Sequence, residues 1–223
     1  MEATDNSIGQ QDDRDTRGAL LRAATFVFAD RGFDAATLRE VTRAAGANIA
    51  AVNYHFRSKD ELLRLTLEQC LGPLNAARLE AMKSCEQARQ PTLRMVLHAI
   101  VAPLVELSLD ERGGRAAIRL MLQTKALPRD LTNEIFAEQF DELHRLSRHM
   151  LQRVAPHLSE SQIALRYEYI RGAILHVLAD LDPNARRMPG LEDIQDHVSN
   201  SELIDDIISF CDTGFQVADS RSC

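Results

Sequence analysis

Tryptophan is absent from the 223-residue sequence, and tyrosine and phenylalanine bring the aromatic share to only 5%. Glycine and proline are also sparse, at 10 and 7 residues. Sheet-rich folds draw on aromatic and β-branched residues and on many glycine turns, so this poverty argues for helices. No apolar run reaches the ~18 residues that a membrane span needs, so no membrane segment is expected. The acidic, Gln-containing start, Met1 to Asp13, has no apolar stretch of the kind a signal peptide carries. The four cysteines (Cys70, Cys85, Cys211 and Cys223) are scattered and form no CxxC pair. A reduced, cytoplasmic chain without structural zinc is the expectation. Catalytic signatures are missing too: there is no GxSxG, HExxH, P-loop or GxGxxG, and no cysteine has a neighbouring histidine to activate it. Neither an enzyme nor a cofactor is therefore expected. What remains is 45% hydrophobic and 26% charged residues, enough apolar material for a core that needs no disulfide staples.

The net charge of −7 looks wrong for a nucleic-acid binder, but the average hides a division. Residues 1–13 carry four acids and no base, residues 14–64 sum to +3, and residues 65–223 sum to −6. A basic module on an acidic body suits an anionic partner for the module alone, although a solvated mixed surface accounts for +3 equally well.

The hydrophobic period is helical throughout. A polar, disordered tail is expected over 1–14, then a head over 15–62 and a helical body over 63–223. The first helix is read from about Thr16 to Asp30, where Leu20, Ala24, Val27 and Phe28 share a face. Thr37-Leu-Arg-Glu40 is a capping box that opens a two-turn helix, Leu38 to Ala45. Gly46 suits a left-handed C-terminal position and Asn48 the next N-cap, so a third short helix runs from Ile49 to about His55. Ser58-Lys-Asp-Glu61 is a second capping box and starts a long helix to about Glu86, which Gly72-Pro73 should kink or break. Further helices are read at about 92–108, 114–126, 130–154, 160–181 and 200–217, with a capping box at Ser159-Glu-Ser-Gln162. The fold class is all-α.

Two short helices joined by a three-residue turn are the elements of a helix-turn-helix. At such lengths they cannot stand alone, so Leu38, Val41, Val52 and Phe56 must pack against the first helix and the start of the fourth. The opposite face of the third helix offers Ile49, Ala50, Asn53 and Tyr54, none of them acidic, a surface that can lie along base edges in a major groove. Around it stand groups able to hold phosphates: Thr37 and Ser58 at helix starts, Asn48 as a cap, Lys59, Arg39 and Arg43, with Arg14 and Arg17 ahead of the first helix.

The stretch Ala23 to Leu63 resembles the DNA-binding head of the tetracycline-repressor (TetR) family. The residues that carry the likeness are Ala29-Asp-Arg-Gly-Phe33, Ala45-Gly46, Asn53-Tyr-His-Phe56 and Ser58-Lys-Asp-Glu-Leu62. The resemblance implies a homodimer whose all-α body encloses a small-molecule pocket, with effector binding releasing double-stranded DNA. It also implies that Thr37, Tyr54, His55 and Lys59 contact or organise phosphates, while Arg39, Ile49, Ala50 and Asn53 approach bases. Many members have Tyr where this chain has Asn53, which either reads an adenine edge or bonds the backbone. Thr42 likewise replaces a frequent Ala. The Asn-Tyr-His-Phe wording is similar to a subgroup that includes regulators of fatty-acid metabolism, which ranks an acyl effector slightly ahead of an aromatic drug.

In the body, Met95, Met121, Phe136, Phe140, His144 and His176 are the candidates for lining a pocket, against the plainer reading of ordinary core. Arg166 and Arg171 either meet a ligand carboxylate or pair with acids such as Glu168. The cluster Glu192, Asp193, Asp196 and His197 has metal-ligand composition but lies in a Pro/Gly-bounded loop, so no metal is expected. The last two long helices are expected to form a four-helix interface with a second copy. The competing classes are a helical-bundle enzyme, which predicts turnover, and a protein-interaction adaptor, which predicts no salt-dependent association with duplex DNA.

Overall fold

In the computed structural model the described residues are 5–110, 113–127, 129–181 and 199–217, with side chains described from Arg14 onward and for most of the rest. They are all-α. The elements are α1 (Asp5–Arg31), α2 (Leu38–Ala45), α3 (Ile49–His55), α4 (Lys59–Gln87), α5 (Leu93–Ser108), α6 (Gly114–Thr124), α7 (Arg129–Val154), α8 (Glu160–Asp180) and α9 (Asn200–Gln216). The cluster Glu192, Asp193, Asp196 and His197 lies outside the described residues.

Two boundaries differ from the sequence reading. Helix α1 begins at Asp5 rather than about Thr16. Nothing before Gly32 stops it: the first proline is Pro73, and an acid at Asp5 suits the positive end of the helix. Helix α4 runs unbroken through Gly72-Pro73. Leu62, Leu63, Leu67, Leu71, Leu74 and Met82 are all buried, so one apolar stripe continues across the proline. Its burial offsets the lost backbone bond, which alone costs ~3 kcal/mol.

Helix α1 ends at Gly32 in the left-handed region (φ 79°). The chain then turns so that Phe33 meets Phe28 edge-on, with ring centroids 5.5 Å apart. Gly46 (φ 66°) makes the turn between α2 and α3. At the start of α6, the helix backbone passes so close to α5 that a Cβ on Gly114 would lie 1.8 Å from the Leu107 carbonyl oxygen. Only glycine permits that approach.

Helix α1 packs on α2, α3, α4 and α6; α4 packs on α5 and α7; α9 lies against α5 and α8. One continuous buried cluster runs from Leu20, Phe28, Val41, Val52 and Phe56 through Leu62 and Leu97 to Ile174 and Phe215. Head and body thus share a core. Two polar ties reinforce the join: Arg119 Nη2 lies 2.6 Å from Asp30 Oδ1, and Gln123 Nε2 donates to the Ala29 carbonyl at 2.8 Å.

Candidate nucleic-acid interface

Helix α3 turns Val52 inward, and Phe56, which follows it, is also buried. A seven-residue helix with those two anchors must show its other side to solvent. Asn48, Ile49, Ala50, Asn53 and Tyr54 are all exposed there, Tyr54 at 76%. Exposure of an aromatic ring to that degree on a folded surface costs hydrophobic free energy that a partner would recover. His55 is half-buried and its ring meets Tyr54 edge-on at 5.0 Å, which orients the tyrosine at the end of the helix. The Asn48 side chain accepts from the Ala51 amide at 2.9 Å, so its carbonyl oxygen caps α3. No acid stands in the first turn of α3.

The other two helix starts are different. At α2 the Thr37 hydroxyl donates to Glu40 Oε2 (2.9 Å) and accepts from the Glu40 amide (3.2 Å), and the Thr37 amide donates to the same carboxylate (2.9 Å). The Thr37 amide and hydroxyl, with burial opposing and Arg31 and Arg43 assisting, hold the Glu40 carboxyl below the usual range. The N-terminus of α2 therefore carries its own anion, and the Thr37 hydroxyl is already engaged. At α4 the Ser58 hydroxyl accepts from the Glu61 amide (3.0 Å), but the Glu61 carboxylate takes the Arg57 amide (3.2 Å) rather than completing the box.

Of the cations, Arg14, Arg17, Arg39 and Arg43 are exposed. So is Arg57 in the α3–α4 turn, which sequence reasoning passed over because a turn arginine carries no periodic signal. The Arg17 guanidinium lies 5.9 Å from the Phe56 ring centroid. Lys59 is half-buried: its Nζ donates to the Asp34 carbonyl at 3.2 Å and sits 4.5 Å from the centre of the Phe33 ring. It therefore ties the start of α4 to the α1–α2 turn. An ammonium has three donors, so this leaves it able to meet a phosphate as well.

The residues picked for a pocket scatter. His144 is half-buried on α7, stacked on Phe140 at 5.5 Å and edge-on to Tyr167 at 5.7 Å. Met121 is buried in α6. Met95 is 40% exposed, and the His176 side chain is exposed with its Nε2 3.5 Å from Asp180. Helical period gives a residue's side of its own helix, not which neighbour covers that side. The Phe136 side chain lies outside the described residues. Arg166 donates to the Val217 carbonyl (2.7 Å) and Arg171 pairs with Glu168. Among the described residues no cluster of His, Cys, Asp and Glu could hold a metal ion, and no helix is long and apolar enough to cross a membrane.

An exposed, acid-free face on a three-helix head fused to a helical body is the arrangement that comparison with known proteins places in a family. Residues 20–65 match the family described as bacterial regulatory proteins, tetR family, and residues 98–214 match the tetracyclin repressor-like C-terminal domain, more than half of the chain. The chain belongs to the TetR family. That family is described as bacterial regulatory proteins, and the chain spans 36% to 46% of the length of the first three curated relatives it matches, all of them named as transcriptional regulators, activators or repressors. It is 38% identical over 74 residues to the HTH-type transcriptional regulator BetI of Rhizobium meliloti, a match covering 33% of this chain and 36% of BetI. The solved structure of the ketosteroid transcriptional regulator KstR2 of Mycobacterium tuberculosis superposes with a TM-score of 0.64 at 18% identity, covering 89% of this chain and 93% of that one. The structure of AibR in complex with isovaleryl coenzyme A and operator DNA does so with a TM-score of 0.61 at 14% identity, covering 87% and 97%.

Proposed function

We propose that this TetR-family regulator is a homodimeric repressor that holds a palindromic operator through two copies of α3 and releases it when a small effector enters the body. The observation that carries the reading is the α3 face. Ile49, Ala50, Asn53 and Tyr54 are exposed without a carboxylate among them, and exposed arginines stand on α1, on α2 and in the α3–α4 turn. On this reading Arg17, Arg39, Arg43, Arg57, Tyr54, His55 and Lys59 serve the phosphates, and Asn53 with Ile49 and Ala50 serves the bases. Asn48 and Thr37 act by capping the helices that present them.

Dimerisation is supported by a second face. Leu165, Tyr169 and Val177 on α8, with Phe210 on α9 and Val217 just beyond it, are exposed large apolar side chains. Tyr169, Phe210 and Val217 line a groove of about 650 Å³ together with Ile170, Ala173 and Phe215. A patch of that kind on α8 and α9 marks a contact with another chain, and two-fold symmetry makes a second copy its simplest partner. Symmetric heads then address major-groove sites about one helical turn apart or a little more. Release is supported by the route from body to head: α6 packs on both α8 and α1, and Arg119 and Gln123 hold the end of α1.

The test is to sequence the genomic fragments that the purified protein retains at low salt. A shared inverted repeat is the expected result, and Asn53→Ala should relax discrimination at one base position by roughly 1–3 kcal/mol. Retention of no fragment, with or without extracted metabolites, would refute the reading.

A further inference from the structure

The segment Ala29 to Asp34, where α1 ends and turns, is held by side chains from α6, α2 and α4. Asp30 Oδ1 lies 2.6 Å from Arg119 Nη2 of α6, and the Ala29 carbonyl accepts from Gln123 Nε2 of the same helix at 2.8 Å. Arg31 Nε lies 3.9 Å from Glu40 in the first turn of α2. Lys59, at the start of α4, donates to the Asp34 carbonyl and sits over the Phe33 ring. This joint connects the body to the two helices that flank α3 in sequence.

The end of α1 is incomplete without α6. A helix leaves its last four carbonyls without intrahelical donors. The Gly32 amide donates to the Phe28 carbonyl, and Gln123 supplies a donor for Ala29 from outside the head. Asp30 stands in the last turn of α1, where a carboxylate meets the negative end of the helix dipole, and the Arg119 guanidinium offsets both. Arg119 and Gln123 are four residues apart on α6, so one side of that helix makes both contacts. The other end of α6 is fixed to α5: Arg115 Nε donates to the Ser108 carbonyl at 3.2 Å, and Gly114 backs onto the Leu107 carbonyl oxygen. Helix α6 spans about 16 Å, so a small rotation about its α5 end is largest near Gln123. The Asp30 side chain is 62% exposed, and a pair so open to water contributes little to stability. Its value is geometric: with the Gln123 bond, it fixes the end of α1 at two points instead of one.

We infer that Arg119 and Gln123 are positioning residues for DNA binding, which set the angle of each head on its body and through it the spacing between half-sites that the dimer accepts. They act through α1, not on DNA. The inference rests on the homodimeric, operator-binding reading above and adds to it the device that selects the spacer. In a two-fold dimer a change of head angle is made twice, so it alters the separation of the two α3 helices while each α3 face stays intact.

The test compares the full-length parent with Arg119→Met, Gln123→Leu and the double variant. The probes are duplexes carrying the inverted repeat recovered from retained genomic fragments, the same repeat with its spacer lengthened or shortened by a base pair or two, and a single half-site. Each added base pair moves one half-site by about 3.4 Å and turns it by about 35°, so the parent should favour its own spacing about tenfold or more. In the double variant that preference should shrink to about threefold or less. Affinity for the original repeat should fall about three- to thirtyfold, with half-site affinity held within about twofold. Arg119→Lys, which keeps the charge, should retain most of the spacing preference. Circular dichroism and thermal melting check that the variants fold; should the double variant fail to, the single ones carry the same comparison with smaller effects. An unchanged spacing profile overturns the inference. So does an equal loss on repeat and half-site, which would make Arg119 and Gln123 supports of the head's own fold. A parent that retains no inverted repeat defeats the DNA-binding reading itself, whereas a parent with a sharp spacing preference that the variants share defeats only this inference.

Discussion

Replacing Phe210 with Glu should split the proposed dimer without unfolding the protomer. The ring is 76% exposed in the single chain, so its loss removes little from the protomer's own core. Covering such a ring on association contributes about 1.5–3 kcal/mol. Two-fold symmetry counts it twice, giving about 3–6 kcal/mol per dimer, or roughly a 10²- to 10⁴-fold weaker association. The introduced carboxylate would also have to be desolvated in that contact, which adds to the penalty. Sedimentation equilibrium over a dilution series reads the constant directly, and far-UV circular dichroism checks that the helices persist. Affinity for a full inverted repeat should fall with the dimer, while the weak affinity for a half-site should not. A variant that stays dimeric at the same concentrations would refute the assignment of α8 and α9 as the subunit contact.

Three further outcomes follow from the geometry. Lys59→Ala should weaken binding to all DNA sequences and reduce the salt slope by about one unit; an unchanged slope would leave Lys59 only its tie to Asp34 and Phe33. Gly114→Ala should cost about 1–3 kcal/mol or more in chemical denaturation, because the new methyl group cannot coexist with the Leu107 carbonyl unless α6 shifts. Glu40 has a depressed folded-state pKa, so its stabilisation is complete above the ordinary value near 4.5 and disappears as pH falls through the lower one. The Tm difference between the parent and Glu40→Gln should accordingly be full at neutral pH and close in acid; a difference independent of pH would contradict the cap.

Much of this was legible in the chain itself. The Thr37 and Ser159 boxes form as written, because a cap depends on neighbours three residues away. Gly46 turns left-handed for the same local reason. The exposed face of α3 followed from two apolar anchors, Val52 within the helix and Phe56 just after it. Distant packing was harder to read. Pro73 forecast a kink that the continuous stripe from Leu62 to Met82 overrides. Lys59 read only as a phosphate contact, since nothing in the sequence announces that Asp34 and Phe33 lie within its reach. The Ser199–Glu202 box at the start of α9 was readable and went unread.

The shared core between α1 and the body has a practical corollary for engineering. A cut after Leu62 severs the Asp30–Arg119 and Ala29–Gln123 links and strips the side of α1 that rests on α6. Grafting this reading head onto a foreign sensor would thus fail unless the donor's α6 travelled with it. On the proposed reading, specificity is therefore changed most safely by substitution along α3, not by trading modules.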